Sequence, residues 1–397
     1  MKQHKDLFSS TLTIKQYKED INMNQDFVSR QQLLLLPERI RKAEATNANK
    51  EVYKFLWDIF EAKNYDAMKI MVVGAGGSYP AAVSVSHSLR YEMRTPDVEA
   101  VTPQTALRIL SQTDRILNAE HSPRYDVIIG ISYSGKTPDI KAVYENCRSS
   151  DLPFVLFTGA DKEALKEEYF ENEFLKIVSY FNAEDTTGKE RGMISMFSTL
   201  APAVLFDYYV DPVYIRWLKE GEQFVSKLNI PKIARAIKRR PIIHVIYEWR
   251  TYAIAADIES KFIESGIASV ILHEKKNFSH GRYTHLYKQN FAMVINLTKF
   301  TVAINTSTMD IELVYDNDYD EKLDKFLKAI CEKKKAIYLE MGNSFLENSE
   351  MLIKELCKLP YLITAIGEKL GVDISKPFSP DQFPEEPKAL YGFDGEF

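Results

Sequence analysis

The chain has 397 residues, 45% of them apolar and 27% charged, and carries a net charge of −5. That length holds two cores of ordinary size, since domains average ~100–200 residues, and the composition is that of a globular protein. The negative balance argues against a nucleic-acid partner, so an anionic ligand must be held by local dipoles and a few cations.

In chain order, residues 1–50 are expected to form a helical segment. Its polar start, Met1 to Lys5, leads into no apolar signal region, and its longest apolar run, residues 33–36, is too short to span a bilayer. No membrane partner is expected. Pro37 after that run predicts a helix, a break and a new helix. A further helix is expected over 51–62, with Val52, Phe55, Leu56, Ile59 and Phe60 on one face.

From residue 69 the pattern changes to short apolar runs alternating with amphipathic stretches. Strands are expected at 70–73, 98–101, 127–132, 154–158 and 174–179, and helices at 79–91, 106–111, 139–147, 163–168 and 195–210. The second half repeats the rhythm: helix 231–239, strand 242–247, helix 251–264, strands at 269–273, 291–297, 312–315 and 336–341, and helical material over 346–370. Such alternation predicts an α/β architecture of two parallel sheets flanked by helices. The expected division is 51–215 for the first unit, 220–372 for the second and 373–397 for a tail rich in Pro and Phe. The tail is either disordered or packed across the body through its aromatic residues. Cys147, Cys331 and Cys357 are scattered and odd in number, which predicts no metal site, no disulfide framework and a cytoplasmic setting.

Two turns stand out. Val72-Val73-Gly74-Ala75-Gly76-Gly77-Ser78 and Ile131-Ser132-Tyr133-Ser134-Gly135-Lys136-Thr137-Pro138 each run from an apolar strand through small residues into a helix. Gly76 and Gly77 let the backbone approach a ligand, while Ser78, Ser132, Ser134 and Thr137 supply hydroxyls beside a helix N-terminus. Gly135 relieves the second turn, and Pro138 suits the first helical position. Either turn alone is ordinary strand–turn–helix chemistry. Two together predict a seat for a phosphorylated small molecule. The spacing is not that of a Walker loop, and the last glycine of the dinucleotide fingerprint is missing, so no nucleotide cofactor is expected.

These residues resemble the sugar isomerase (SIS) domain family. There a Gly-x-Gly-x-Ser turn and a Ser-x-Ser-Gly-x-Thr-x-Asp turn hold the phosphate of a sugar phosphate in a flavodoxin-like sheet. Gly74, Gly76, Ser78, Ser132, Ser134, Gly135, Thr137 and Asp139 match position by position, and Lys136 replaces the usual glutamate. The match covers residues 50–210 and is much weaker afterwards.

In the second half, Lys261 and Glu264 lie three apart on one helix, and His280-Gly281 follows Glu264 by sixteen residues. By themselves Lys261 and Glu264 fit a surface i,i+3 pair, and a histidine beside glycine is ordinary. His273, His280 and His285 lack a metal-binding motif. The chain also resembles double SIS-domain isomerases, such as the isomerase half of glucosamine-6-phosphate synthase and the phosphoglucose/phosphomannose isomerases. That resemblance implies that Glu264 shuttles a proton between C1 and C2 and that His280 assists ring opening, often across a dimer interface. Lys261 or Arg282 would then face the developing enediolate. Lys136, Arg282 and Lys388 are further candidate substrate contacts, and Lys376 is a second candidate for the family's C-terminal lysine.

The second unit departs from the pattern, opening with Ile242 to Arg250 where the family has a glycine-rich turn. The expected ligand is a phosphosugar and the expected assembly a homodimer or dimer of dimers. Two functions stay open: aldose–ketose isomerisation, including amino-sugar phosphates and their deamination, or a non-catalytic sugar-phosphate sensor.

Overall fold

The computed structural model describes residues 27–63, 68–92, 97–116, 125–184, 196–206, 213–298, 317–341 and 349–376. Two helices come first, α1 (Val28–Glu44) and α2 (Ala48–Lys63). A five-stranded sheet follows: β1 (Lys69–Gly74), α3 (Ser78–Glu92), β2 (Asp97–Val101), α4 (Pro103–Ile116), β3 (Val127–Ser132), α5 (Pro138–Ser149), β4 (Phe154–Thr158) and β5 (Leu175–Ser179). Helices α6 (Phe197–Leu205), α7 (Val213–Ser226) and α8 (Ile230–Arg239) lead to a second sheet. That sheet is made of β6 (Ile242–Tyr247), α9 (Tyr252–Glu264), β7 (Ser269–Glu274), β8 (Met293–Asn296), α10 (Asn317–Lys334) and β9 (Ile337–Glu340). Helices α11 (Ser349–Leu356) and α12 (Leu359–Leu370) close the described chain.

The strand orders are β2-β1-β3-β4-β5 and β7-β6-β8-β9, and every pairing is parallel. Both follow the flavodoxin-like order 2-1-3-4, in which the chain leaves opposite ways at the first and third strands and opens a crevice at their carboxyl ends. The β1 and β3 turns therefore stand side by side, with Gly74 paired to Ile131.

Alternation along the strands sorts the core. Ile70, Val72, Ile129, Ile131, Ile243, Val245, Met293 and Ile295 face one continuous apolar core shared by both sheets, together with Trp217 and Leu218 of α7. Met71, Val73, Ile128 and Leu156 face a second core outside the first sheet. Ile246, Val294 and Leu327 face a third outside the other sheet. Helix α7 crosses the expected division at 215–220 and feeds the shared core.

The expected break at Pro37 does not occur. Helix α1 runs through it, with Leu36 and Ile40 fully buried on either side. An interior proline costs ~3 kcal/mol, and burying two such side chains returns ~1.5–3 kcal/mol each. Phe27, at the N-cap, has no side-chain cap; Asp373 supplies it, accepting from the backbone N–H of Val28 at 2.6 Å and of Ser29 at 3.1 Å. The expected helix at 163–168 is only a 3-10 turn over Glu163–Leu165. The strand expected at 312–315 lies outside the described residues. All three cysteines are unpaired and buried, and no helix among the described residues is long and apolar enough to cross a membrane.

Candidate active site

The first turn needs its glycines. A Cβ on Gly74 would come within 2.3 Å of the Ser78 carbonyl oxygen, and Gly76 has φ of +51°. The backbone N–H of Ser78 donates to Ala75 at 2.9 Å, and that of Tyr79 donates to Gly76 at 3.0 Å. From α6, the Thr199 hydroxyl donates to the Gly77 carbonyl at 2.9 Å. Ser78 opens α3, half-buried at the head of the helix dipole.

The second turn is buttressed from below. Gly135 has φ of +66°, and a Cβ there would meet the Leu165 side chain at 2.6 Å. Its carbonyl accepts from the buried Tyr169 hydroxyl at 2.5 Å, while Thr158 Oγ1 donates to the Tyr133 carbonyl at 3.1 Å. Thr137 is the N-cap residue of α5, but its hydroxyl makes no capping bond. It lies 3.0 Å from Ser132 Oγ instead, so the two expected phosphate hydroxyls form one linked pair. Ser134 Oγ accepts from the Lys136 backbone N–H at 3.2 Å. The Lys136 ammonium is bridged to Glu168 at 3.2 Å.

The second unit reaches this crevice through α9. Tyr79 packs edge-on against Tyr252 at the start of α9, and Tyr252 packs against Tyr247, with ring centroids 6.4 and 5.3 Å apart. At the far end of α9, Glu264 hangs over the glycine turn: an ideal Cβ on Gly76 would lie 4.0 Å from Glu264 Oε1. Burial pushes the Glu264 carboxyl above its ordinary range. Three neighbours act on it in turn: the Ser260 hydroxyl, donating to Oε1 at 2.6 Å, and the Lys261 ammonium pull it back down, and Asp257 pushes it up.

Lys261 corrects one expectation. It is not a surface partner of Glu264; it is buried and ion-paired with Asp257, one turn back on the same helix. Asp257 and Ser260, the partners of Lys261 and Glu264, belong to neither of the motifs read from the sequence. The signal was present as two i,i+4 spacings, Asp257–Lys261 and Ser260–Glu264.

His280 and Arg282 lie on the exposed segment after β7, where Gly281 has φ of +121°. Among the described residues, no hydrogen bond or ion pair joins His280 to Glu264. Arg282 acts on Tyr247 and on His273, at the end of the second sheet. Lys376 is the last described residue. Lys388 and the loop 186–191 lie outside the described residues.

No family model and no curated protein matches the chain. Solved structures do. Tagatose-6-phosphate ketose/aldose isomerase from Escherichia coli aligns over 87% of this chain and 94% of its own, with a TM-score of 0.61 at 14% identity. The C-terminal domain of glucosamine-fructose-6-phosphate aminotransferase from Francisella tularensis aligns over 89% and 98%, with a TM-score of 0.59 at 14% identity. Glucosamine-6-phosphate deaminase from Thermotoga maritima aligns over 85% and 97%, with a TM-score of 0.54 at 13% identity. The chain has the double SIS fold.

The two SIS units differ at the mouths of their sheets. Where the first has a glycine turn after β1, the second places Glu248 after β6. Its carboxylate accepts from the backbone N–H of Thr251 in a capping box, with Lys275 3.9 Å away. Burial pushes Glu248 up to about 7. A carboxylate thus caps the helix start in the second unit, where the first unit has Ser78.

Proposed function

We propose that the chain binds a sugar phosphate in the crevice of the first SIS unit and interconverts its aldose and ketose forms. The observation that carries this is Glu264, a half-buried carboxylate from the second unit held over the Gly76 turn of the first. The phosphate would sit against Ser78, Ser132, Ser134 and Thr137 with the backbone of Gly76, Gly77 and Gly135, at two adjacent helix N-termini. The sugar carbons would then extend toward Glu264.

Glu264 takes the proton from C2 of the open-chain aldose, leaving an enediolate; as the hydroxyl proton passes from O2 to O1, Glu264 returns its own proton to C1 to give the ketose. Burial suits this work, because a carboxyl raised toward neutrality both accepts and releases a proton readily. Lys261, neutralised by Asp257, holds the helix end in place more than it faces the enediolate; Arg282 and the turn's backbone N–H groups are the remaining donors. His280, exposed in one chain, would open the sugar ring of a partner copy in a homodimer or dimer of dimers in the cytoplasm.

Proton NMR in deuterated buffer tests the reading, with fructose 6-phosphate, tagatose 6-phosphate and glucosamine 6-phosphate as substrates. Deuterium should enter C1 or C2 with the wild type and not with Glu264→Gln. Thermal stabilisation by all three sugars, without exchange or ammonia release, would sink the isomerase and favour a sensor.

A further inference from the structure

Glu264 has a problem of its own making. A base must be ionised to accept a proton, yet the burial that makes Glu264 a useful acid also favours its neutral form. Lys261 and Asp257 act on it in opposite senses while paired with each other. The Gly74–Ser78 turn facing it has no ionisable side chain.

The elements packed against α9 add little, because their charges are engaged elsewhere. On α11, Lys354 is bridged to Glu220 and Glu355 to Lys358. On β7, His273 bonds His244, and Glu274 caps the next turn. On α3, His87 stacks on Trp249 and Arg90 binds the Val98 carbonyl. On α12, Glu368 faces Arg30, and before α9, Glu248 faces Lys275 and Arg250 lies over the Trp249 ring.

What remains is Ser260. A serine inside a helix either faces solvent or turns its hydroxyl back to the carbonyl four residues earlier. Ser260 turns forward, donating at 2.6 Å to Oε1, the same oxygen that lies over Gly76. A hydroxyl donor bonds a carboxylate more strongly than a carboxylic acid, and it fixes which way the carboxylate plane faces.

We infer that Ser260 is the positioning residue of the site, holding the Glu264 carboxylate ionised and turned toward the glycine turn. This rests on Glu264 being the base, and the experiment separates the two. Carbon-13 NMR of carboxyl-labelled protein follows the Glu264 titration directly, with its signal assigned by its loss in Glu264→Gln. Ser260→Ala should move the titration midpoint upward, and Ser260→Thr, which keeps the hydroxyl, should restore it.

With fructose 6-phosphate and tagatose 6-phosphate, deuterium exchange at saturation should slow by about ten-fold in Ser260→Ala. KM should stay unchanged, because the serine is on the base side of the crevice and not among the phosphate hydroxyls. The threonine variant should recover the rate. An unmoved midpoint in Ser260→Ala overturns the proposal, as does a threonine variant as shifted as the alanine. Undiminished exchange in Glu264→Gln removes Glu264 as base, while the titration still decides whether Ser260 holds it.

Discussion

Glu264 sits at odds with folding. Its carboxyl is raised by burial, so the folded protein binds its proton more tightly than the unfolded chain does. That contributes stability below the ordinary carboxylate range and loses it as pH rises through the folded value. Glu264→Gln, which keeps the acceptor for Ser260 and drops the charge, should therefore raise the melting temperature at pH 7, with the gain vanishing near pH 4. Calorimetry of the two proteins across that range checks it. A residue whose removal stabilises the fold while stopping turnover is one kept for chemistry.

The buried pair His244 and His273 works in the opposite sense. His244 Nδ1 lies 2.9 Å from His273 Nε2, joining β6 to β7, and their other nitrogens have no partner among the described residues. Burial lowers His244 to about 3 and His273 to about 4. Stability should be complete above ~6.5, the ordinary histidine value, and fall as pH drops below it, until the folded-state values are reached. The slope is up to about 1.4 kcal/mol per pH unit for each proton taken up on unfolding. Urea midpoints measured from pH 7.5 to 4.5 should show that slope, and His244→Phe with His273→Phe should flatten it.

Among elements, the buttressed second turn makes the sharpest prediction. Gly135→Ala must hold a side chain at φ of +66° and push Leu165 aside. It should cost about 1–3 kcal/mol and weaken sugar-phosphate stabilisation more than Gly266→Ala, where the φ is +65° but nothing lies within 4 Å. Thermal shifts with and without fructose 6-phosphate compare them.

The elements best foreseen were the buried strands. Val127–Ser132, Phe154–Thr158 and Ile242–Tyr247 have the bounds that their apolar runs predict, because a strand buried on both faces is a continuous apolar run. Pro37 misled because local propensity cannot weigh a leucine face that finds a core. In the site, the two turns were legible because φ and hydroxyl chemistry are local. The surface-pair reading of Lys261 failed because its partner depends on which helix face is buried, and both Asp257 and Glu264 are within reach along the sequence.

At the scale of the whole molecule, one core spans both sheets, so the crevice is built on a single cooperative body. Trp217, 2% exposed in α7, belongs to that core. Trp217→Ala should cost ~3–5 kcal/mol and lower the unfolding midpoint of both units together. Coincident denaturation curves by near- and far-UV circular dichroism would establish that, and two separated transitions would refute it.

The cap that Asp373 places on α1 joins positions 345 residues apart, and Asp373→Ala should cost about 1 kcal/mol. Its larger consequence concerns time. On the ribosome the chain emerges from its amino end at ≈ 5–20 residues per second, so α1 appears many seconds before its cap exists. Helix α1 is thus made early and finished late. Until then its leucine face lacks α12, one of the helices it packs against, and a nascent chain stalled before residue 373 would present that face to chaperones.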